Sequence, residues 1–219
     1  MNYLSLLNKE LSLVDSLNFN NKFVYFNRNE NLKHWNSYFD KKNNIRIMIL
    51  GRPVIETSDW QNFQEYEQNY ISKLLIKKYV NLDINEFCSQ LNGAFSVLFI
   101  DYRFNKILII TDKLGIYPIY TYGADLEVFQ FSSNFNFLVD NVSSKINVDL
   151  VSLAEFLKKG FIYHPNTQYK EIKTIDNGTY CILDFNKKII TKKKYFRFQA
   201  KPIYDFNYLV NKLSKALVK

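Results

Sequence analysis

Cysteine is scarce: Cys88 and Cys181 are the only two in 219 residues, which excludes a disulfide-built secreted scaffold and leads us to expect a reduced, cytoplasmic protein. Histidine is as sparse, and neither His34 nor His164 has a Cys, His or acidic partner at ligand spacing, so no metal site is expected. None of the six glycines sits in a phosphate-binding loop of either common type. Long apolar runs are also missing. "GAFSVLFI" and "KILIIT" stop well short of the ~20 residues a membrane helix needs. The opening stretch "MNYLSLLNKELSLVDS" carries Glu10 and Asp15, with neither a basic leader nor a small-residue cleavage site, so no signal peptide and no membrane partner are expected.

What the chain does have is apolar and aromatic mass, 47% and 17% of residues, enough for a packed core and incompatible with disorder. Its length suits one large domain, or one domain plus a fragment of another, at ~100–200 residues each. The net charge of +8 (29 basic against 21 acidic residues) invites a nucleic-acid reading. Lysine is scattered, however, and the one tight run, Lys192–Lys194, ends a strand-like segment, where charge blunts an exposed edge. A solvated basic face is the expected reading, and nucleic acid is not an expected partner.

Strand-like segments dominate. "IRIMIL" (45–50) is a short buried run, and Phe95–Asp101 and Lys106–Asp112 flank "YRFN" as a hairpin. "IYTYG" and "VFQFSSN" (128–134) form a second pair through "ADLE"; "TYCILDF" and "KIITKKKYF" form a third through Asn186-Lys187. Connections this short exclude helical crossovers, so two antiparallel sheets are expected. Among helices, Ser58 and Gln61 read as a capping box, followed by Trp60, Phe63, Tyr70, Ile71, Leu74 and Leu75 at helical spacing to about Tyr79. A short helix runs from an Asp83 cap to Leu91. Another starts at Asp149, carries Leu150, Leu153, Ala154 and Leu157 on one face, and stops at Gly160. From Asp205, "FNYLVNKLSKALVK" sets Leu209, Leu213 and Leu217 on a stripe that needs a surface to cover it.

In order and spacing, "LNGAFSVLFID" (91–101), "ITDKLGIYPIY" (110–120), "FSSNFNFL" (131–138), "LAEFLKKGFIYHPNTQYKEIKTIDNGTYCILD" (153–184) and "YFRF" (195–198) resemble the N-terminal glutaminase-type domain of asparagine synthetases and related amide-forming enzymes. The resemblance is strong over residues 82–198 and weak before them. It implies an α+β fold, a four-layer αββα sandwich of two antiparallel sheets flanked by helices, of the N-terminal-nucleophile type. With the uncovered stripe after Asp205, this suggests a glutaminase-like domain at 1–198 and, at 199–219, a linker plus the first helix of a synthetase domain, with packing of that helix back on the main body as the alternative.

The same resemblance says which residues glutamine hydrolysis needs. In the family a cysteine exposed as the first residue attacks the amide, with its own α-amine as base. This chain reads Met1-Asn2-Tyr3-Leu4-Ser5; Asn2 has no nucleophile and Ser5 has no free amine. Cys88 and Cys181 fall in an expected helix and strand and read as inert buried thiols. The family's oxyanion donors, an asparagine side chain and a glycine N–H, correspond here to Leu50 and Gly51 in "LGRPVI", and leucine cannot donate. The family's carboxylate-clamping arginine motif is absent: Arg46 and Arg52 lie nearby in another context. The place of the amine-binding aspartate falls near Ile71, and Asp59 belongs to the capping box. In "DKLGIYPIYTY", Asp112, Gly115 and Pro118 read as scaffold, with Tyr117, Tyr120 and Tyr122 alternating along the strand that follows.

The expectation is therefore a chain with no catalytic, cofactor-binding or metal-binding residues, silent toward glutamine. It would serve a structural or subunit-interface role in an ATP- and Mg2+-dependent enzyme forming an amide, lactam or macrolactam with the substrate's own amine. Its partner would be a C-terminal synthetase domain or separate synthetase subunit, with a homo-oligomer as a further arrangement. The alternative is a stand-alone, non-catalytic scaffold, with an open pocket at Leu50, Gly51 and nearby aromatics for a peptide or another subunit.

Overall fold

The computed structural model of the chain describes residues 14–19, 22–27, 35–55, 69–198 and 205–217. Strands β1 (Val14–Phe19) and β2 (Lys22–Asn27) pair as a hairpin. Next come β3 (Trp35–Asp40), β4 (Ile45–Val54), helices α1 (Tyr70–Asn81) and α2 (Ile84–Gln90), then β5 (Asn92–Asp101) and β6 (Lys106–Thr111). The second half holds β7 (Tyr120–Tyr122), β8 (Gln130–Ser132), α3 (Phe135–Val142), α4 (Leu150–Lys159), β9 (Ile172–Thr174), β10 (Thr179–Asp184), β11 (Ile189–Lys194) and α5 (Phe206–Leu217). One sheet has six strands in the order β11-β10-β6-β5-β4-β3; the other has three, β8-β7-β9; every pairing is antiparallel.

One turn device closes three of the hairpins. Asp40, Asp101 and Asp184 each accept a backbone N–H from two or three residues ahead (Lys42 and Asn43, Arg103, Lys187). In each, the residue four positions on, Asn44, Asn105 or Lys188, has φ between 50° and 56°. A short carboxylate that caps the turn fixes the register of the strands it joins.

Side-chain alternation then builds three packed layers of core. On β4, Ile45, Ile47 and Ile49 face α1 and α2, while Met48 faces the three-stranded sheet. On β5, Val97 and Phe99 take the helix side and Leu98 and Ile100 the sheet side. Both faces of these strands are buried, which is why they read as unbroken apolar runs. Phe99 stacks on Tyr79 of α1 (4.7 Å) and meets Phe87 of α2 edge-on (5.8 Å), so one strand residue fastens both helices. Truncating such a ring costs about 3–5 kcal/mol. Between the sheets, Met48, Leu98 and Ile109 meet Ile119, Phe129 and Ile175. Beyond the smaller sheet, Leu138 and Val142 of α3 cover Ile172 of β9. The order helix, sheet, sheet, helix is the expected αββα sandwich, and the hairpins expected around "YRFN", "ADLE" and Asn186-Lys187 are present.

The structure also corrects several expectations. "IRIMIL" does not end at residue 50: β4 continues to Val54, pairing with β5 as far as Val54↔Asn92. Among the described residues its pairing with β3 stops at Trp35↔Leu50, so Pro53 interrupts no described bond on that side. The capping box at Ser58, with Trp60 and Phe63, lies outside the described residues, and α1 begins at Tyr70. Helix α3, capped by the Asn134 side chain on Phe137 N (3.1 Å), was not anticipated. Helix α4 has its expected caps, Asp149 and Gly160, and its apolar face is exposed: Ser152 is its only buried residue. Helix α5 is exposed throughout. Strand β11 is a sheet edge carrying the exposed Lys192–Lys194, as expected.

Candidate functional site

The place to test is the junction of β4, β5 and the loop 112–119, where Leu50 and Gly51 stand. The loop is held from within. Asp112 is fully buried and accepts four backbone N–H groups: Leu114 (2.7 Å) and Gly115 (2.7 Å) on Oδ1, Ile116 (3.0 Å) and Phe95 (3.1 Å) on Oδ2. Its own carbonyl accepts Gly178 N (2.7 Å), which ties the loop to β10. Gly115, at φ 70°, makes the turn that lets three successive amides converge on one carboxylate. Asp112 is thus spent on backbone, in agreement with its reading as scaffold.

Pinned this way, the loop delivers Tyr117 onto Gly51, and Ser96 Oγ donates to Tyr117 O (2.6 Å) to fix it there. A Cβ at Gly51 would collide with the Tyr117 ring and the Ala94 carbonyl, and φ there is 85°. Gly51 is therefore required by the packing of this chain, whatever role its N–H has in the family.

Leu50 is 8% exposed and projects between the sheets. With Met48, Ser96, Val97, Ile119 and Phe131 it lines a cavity of only about 20 Å3. That is room for roughly one water, in walls that offer it few partners. The open pocket expected at Leu50 and Gly51 is thus closed among the described residues, because Tyr117 lies over the glycine and the leucine fills the space beneath.

The other candidate groups lie elsewhere. Cys88 (α2) and Cys181 (β10) are fully buried, and loss of solvation pushes their thiols up to about 12 and about 11. A thiolate is the nucleophile, so neither group is prepared to act. The Arg46 guanidinium lies over the Phe39 ring (5.2 Å), and its Nε is buried without a hydrogen bond. Arg52 is exposed on β4. Ile71 packs against the core beneath α1. Asp59 and Met1, Asn2 and Ser5 lie outside the described residues.

Two features escaped the sequence reading. His164, which has no partner at local spacing, meets Asp176 (Nδ1 to Oδ1, 3.4 Å) and Thr174 (Nε2 to Oγ1, 2.9 Å). The fold joins residues ten and twelve apart in sequence, a separation that carries no local signal. His164 and Asp176 are 38% and 49% exposed, so water screens the pair. A wider cleft, about 640 Å3, opens between Ala124–Glu127 and Phe185–Ile190 beside the edge strand β11, with Asp125, Glu127 and Lys188 at its rim. Among the described residues no three His, Cys, Asp or Glu side chains converge as a metal site, and no helix is long and apolar enough to cross a membrane.

Two antiparallel sheets lie face to face with helices outside each, the αββα layering that the family resemblance led us to expect. The chain belongs to the glutamine amidotransferase domain family, whose model matches residues 62–196. A protein of Methanocaldococcus jannaschii named as a glutamine-hydrolyzing asparagine synthetase is 28% identical over 156 residues, 70% of this chain. The chain spans 30% of that relative's length. Among solved structures, that of the allosteric regulatory enzyme of purine biosynthesis is 11% identical over 73% of this chain and 30% of its own (TM-score 0.44). Glutamine phosphoribosylpyrophosphate amidotransferase from B. subtilis, complexed with ADP and GMP, is 11% identical over 74% of this chain and 32% of its own (TM-score 0.40).

Proposed function

We propose that this is a glutaminase-type domain that neither hydrolyses nor specifically binds glutamine, and that it serves as a structural and subunit-interface element of an asparagine-synthetase-related, ATP-dependent amide-forming enzyme. The observation that carries the reading is the packing at Leu50 and Gly51. Acyl transfer needs hydrogen-bond donors aimed at the developing oxyanion. At the position of the side-chain donor this chain has a buried leucine, and the adjacent glycine lies under an aromatic ring.

An enzyme whose substrate brings its own amine has no use for ammonia, and a silent domain of this family suits that chemistry. ATP and Mg2+ would be held by a further synthetase domain or subunit. The test is direct. The purified chain is incubated with glutamine, and glutamate and ammonia are measured alongside calorimetric titration of glutamine. No turnover and no saturable heat are expected. Turnover that stops on thiol alkylation overturns the reading, and saturable binding without turnover restricts it to lost catalysis.

A further inference from the structure

Helix α4 stands away from the body of the protein. It leaves at Asp149, whose N–H is held by Gln168 O (2.9 Å) beside the Val148↔Tyr169 bridge, and the chain returns through that same point. Ser152 is its one buried residue, and at 100° per residue Leu150, Leu153, Ala154 and Leu157 lie on the opposite side. Leu150 and Leu157 are 72% and 78% exposed. A ten-residue helix is marginal alone in water, and an apolar stripe aimed at solvent is unusual for a monomer.

The stripe is self-complementary. Around the midpoint between Leu153 and Ala154 the sequence reads Asp149-Leu150, two residues, Leu153, then Ala154, two residues, Leu157-Lys158. Turned antiparallel about that midpoint, a second copy brings Leu150 level with Leu157, Leu153 level with Ala154, and Asp149 level with Lys158. The small Ala154 at the centre lets the helix axes come close, and opposite charges share each end of the pair. Asp149 is held ionised by its bond from Ser152 Oγ, whereas Lys158 has no partner within its own chain among the described residues. Lys159, by contrast, is already engaged with Glu155 (3.4 Å) and the Tyr163 ring.

We propose that α4 is a homodimerisation arm, two copies packing α4 against α4 antiparallel about a two-fold axis between Leu153 and Ala154. The proposal does not rest on the silence of the glutaminase chemistry. A single helix pair is at the small end of stable interfaces, so the dimer is concentration-dependent.

The test is sedimentation equilibrium on the full chain over a wide concentration range. A reversible dimer is expected, and Leu157→Glu weakens it by at least about tenfold while leaving the thermal melt of the monomer unchanged. Ala154→Cys forms a disulfide-linked dimer on mild oxidation, whereas Lys170→Cys, at the base of the arm, does not; the native thiols are buried and do not interfere. A chain that is monomeric throughout refutes the proposal. So does a dimer indifferent to Leu157→Glu, or one abolished instead by Leu213→Glu, which would assign the contact to α5.

Discussion

Replacing Asp112 by alanine tests the account of the 112–119 loop most sharply. The carboxylate accepts four backbone N–H groups at 2.7–3.1 Å, and of these only Gly115 has a second acceptor, the Asp112 carbonyl at 3.2 Å. Phe95, Leu114 and Ile116 are left without theirs. A buried donor stripped of its partner costs about 1–3 kcal/mol, and water reaches part of this loop, so the sum is about 3–6 kcal/mol. That is a large share of the 5–15 kcal/mol typical of a domain. Asp112→Asn keeps the shape and one acceptor oxygen, enough for about half of the bonds, and should cost about half as much. The assay is urea unfolding followed by far-UV circular dichroism, with all three proteins at one pH. If Asp112→Ala lies within about 1 kcal/mol of the parent, the carboxylate does not hold the loop and the placement of Tyr117 over Gly51 needs another cause.

Three further outcomes are expected. Gly51→Ala sets a Cβ into Tyr117 and the Ala94 carbonyl at a left-handed φ, a loss of about 2–4 kcal/mol by thermal melting that Tyr117→Ala in the same chain partly restores; full tolerance of the alanine would show that the ring is not seated there. Alkaline stability is limited by buried acids. Burial raises Tyr79 and Tyr195 above their ordinary 10, and Cys88 and Cys181 above their ordinary 9, so the unfolded chain releases these protons first and stability falls as pH rises through about 9–11. Each group adds up to about 1.4 kcal/mol per pH unit, and a urea midpoint unchanged from pH 8 to about 10.5 contradicts this. Native protein should leave both thiols unreacted with an aromatic disulfide reagent until urea is added; rapid native reaction of either would place it at the surface.

Residues with local signals were legible in the sequence: the Asp83, Asp149 and Gly160 caps, and the runs that became β5, β6 and β10. The sequence reading ends β4 at Leu50 because Gly51 and Pro53 are ordinarily breakers, and their place in the strand depends on pairing with β5 as far as Asn92, which only the assembled sheet reveals. The shared turn device went unseen because its positive-φ residues are Asn44, Asn105 and Lys188, none of them the glycine that usually marks such a turn. The amphipathic pattern of α4 was legible, but its exposure was not: periodicity identifies the apolar face and says nothing of what covers it. At the candidate site the absence of a side-chain donor at Leu50 was legible, but closure by Tyr117 depends on a contact between residues 51 and 117 with no local trace.

On the proposed reading, that contact also separates the demands on the scaffold from those on the site. Asp112, Gly115 and Ser96 together fix where Tyr117 goes, and all three act through backbone groups that any member of the fold must satisfy. Leu50 and the space under it are bound by no such demand. In the proposed reading, with no oxyanion to stabilise, a buried polar side chain there would cost about 1–3 kcal/mol and an aliphatic one would be a gain. Packing alone then favours leucine at position 50 and an aromatic ring over Gly51, with Gly51 itself retained because nothing larger fits beneath the ring. Gly51 is accordingly explained by how the sheet and loop pack, and it is Leu50 on which the proposed loss of glutamine chemistry rests.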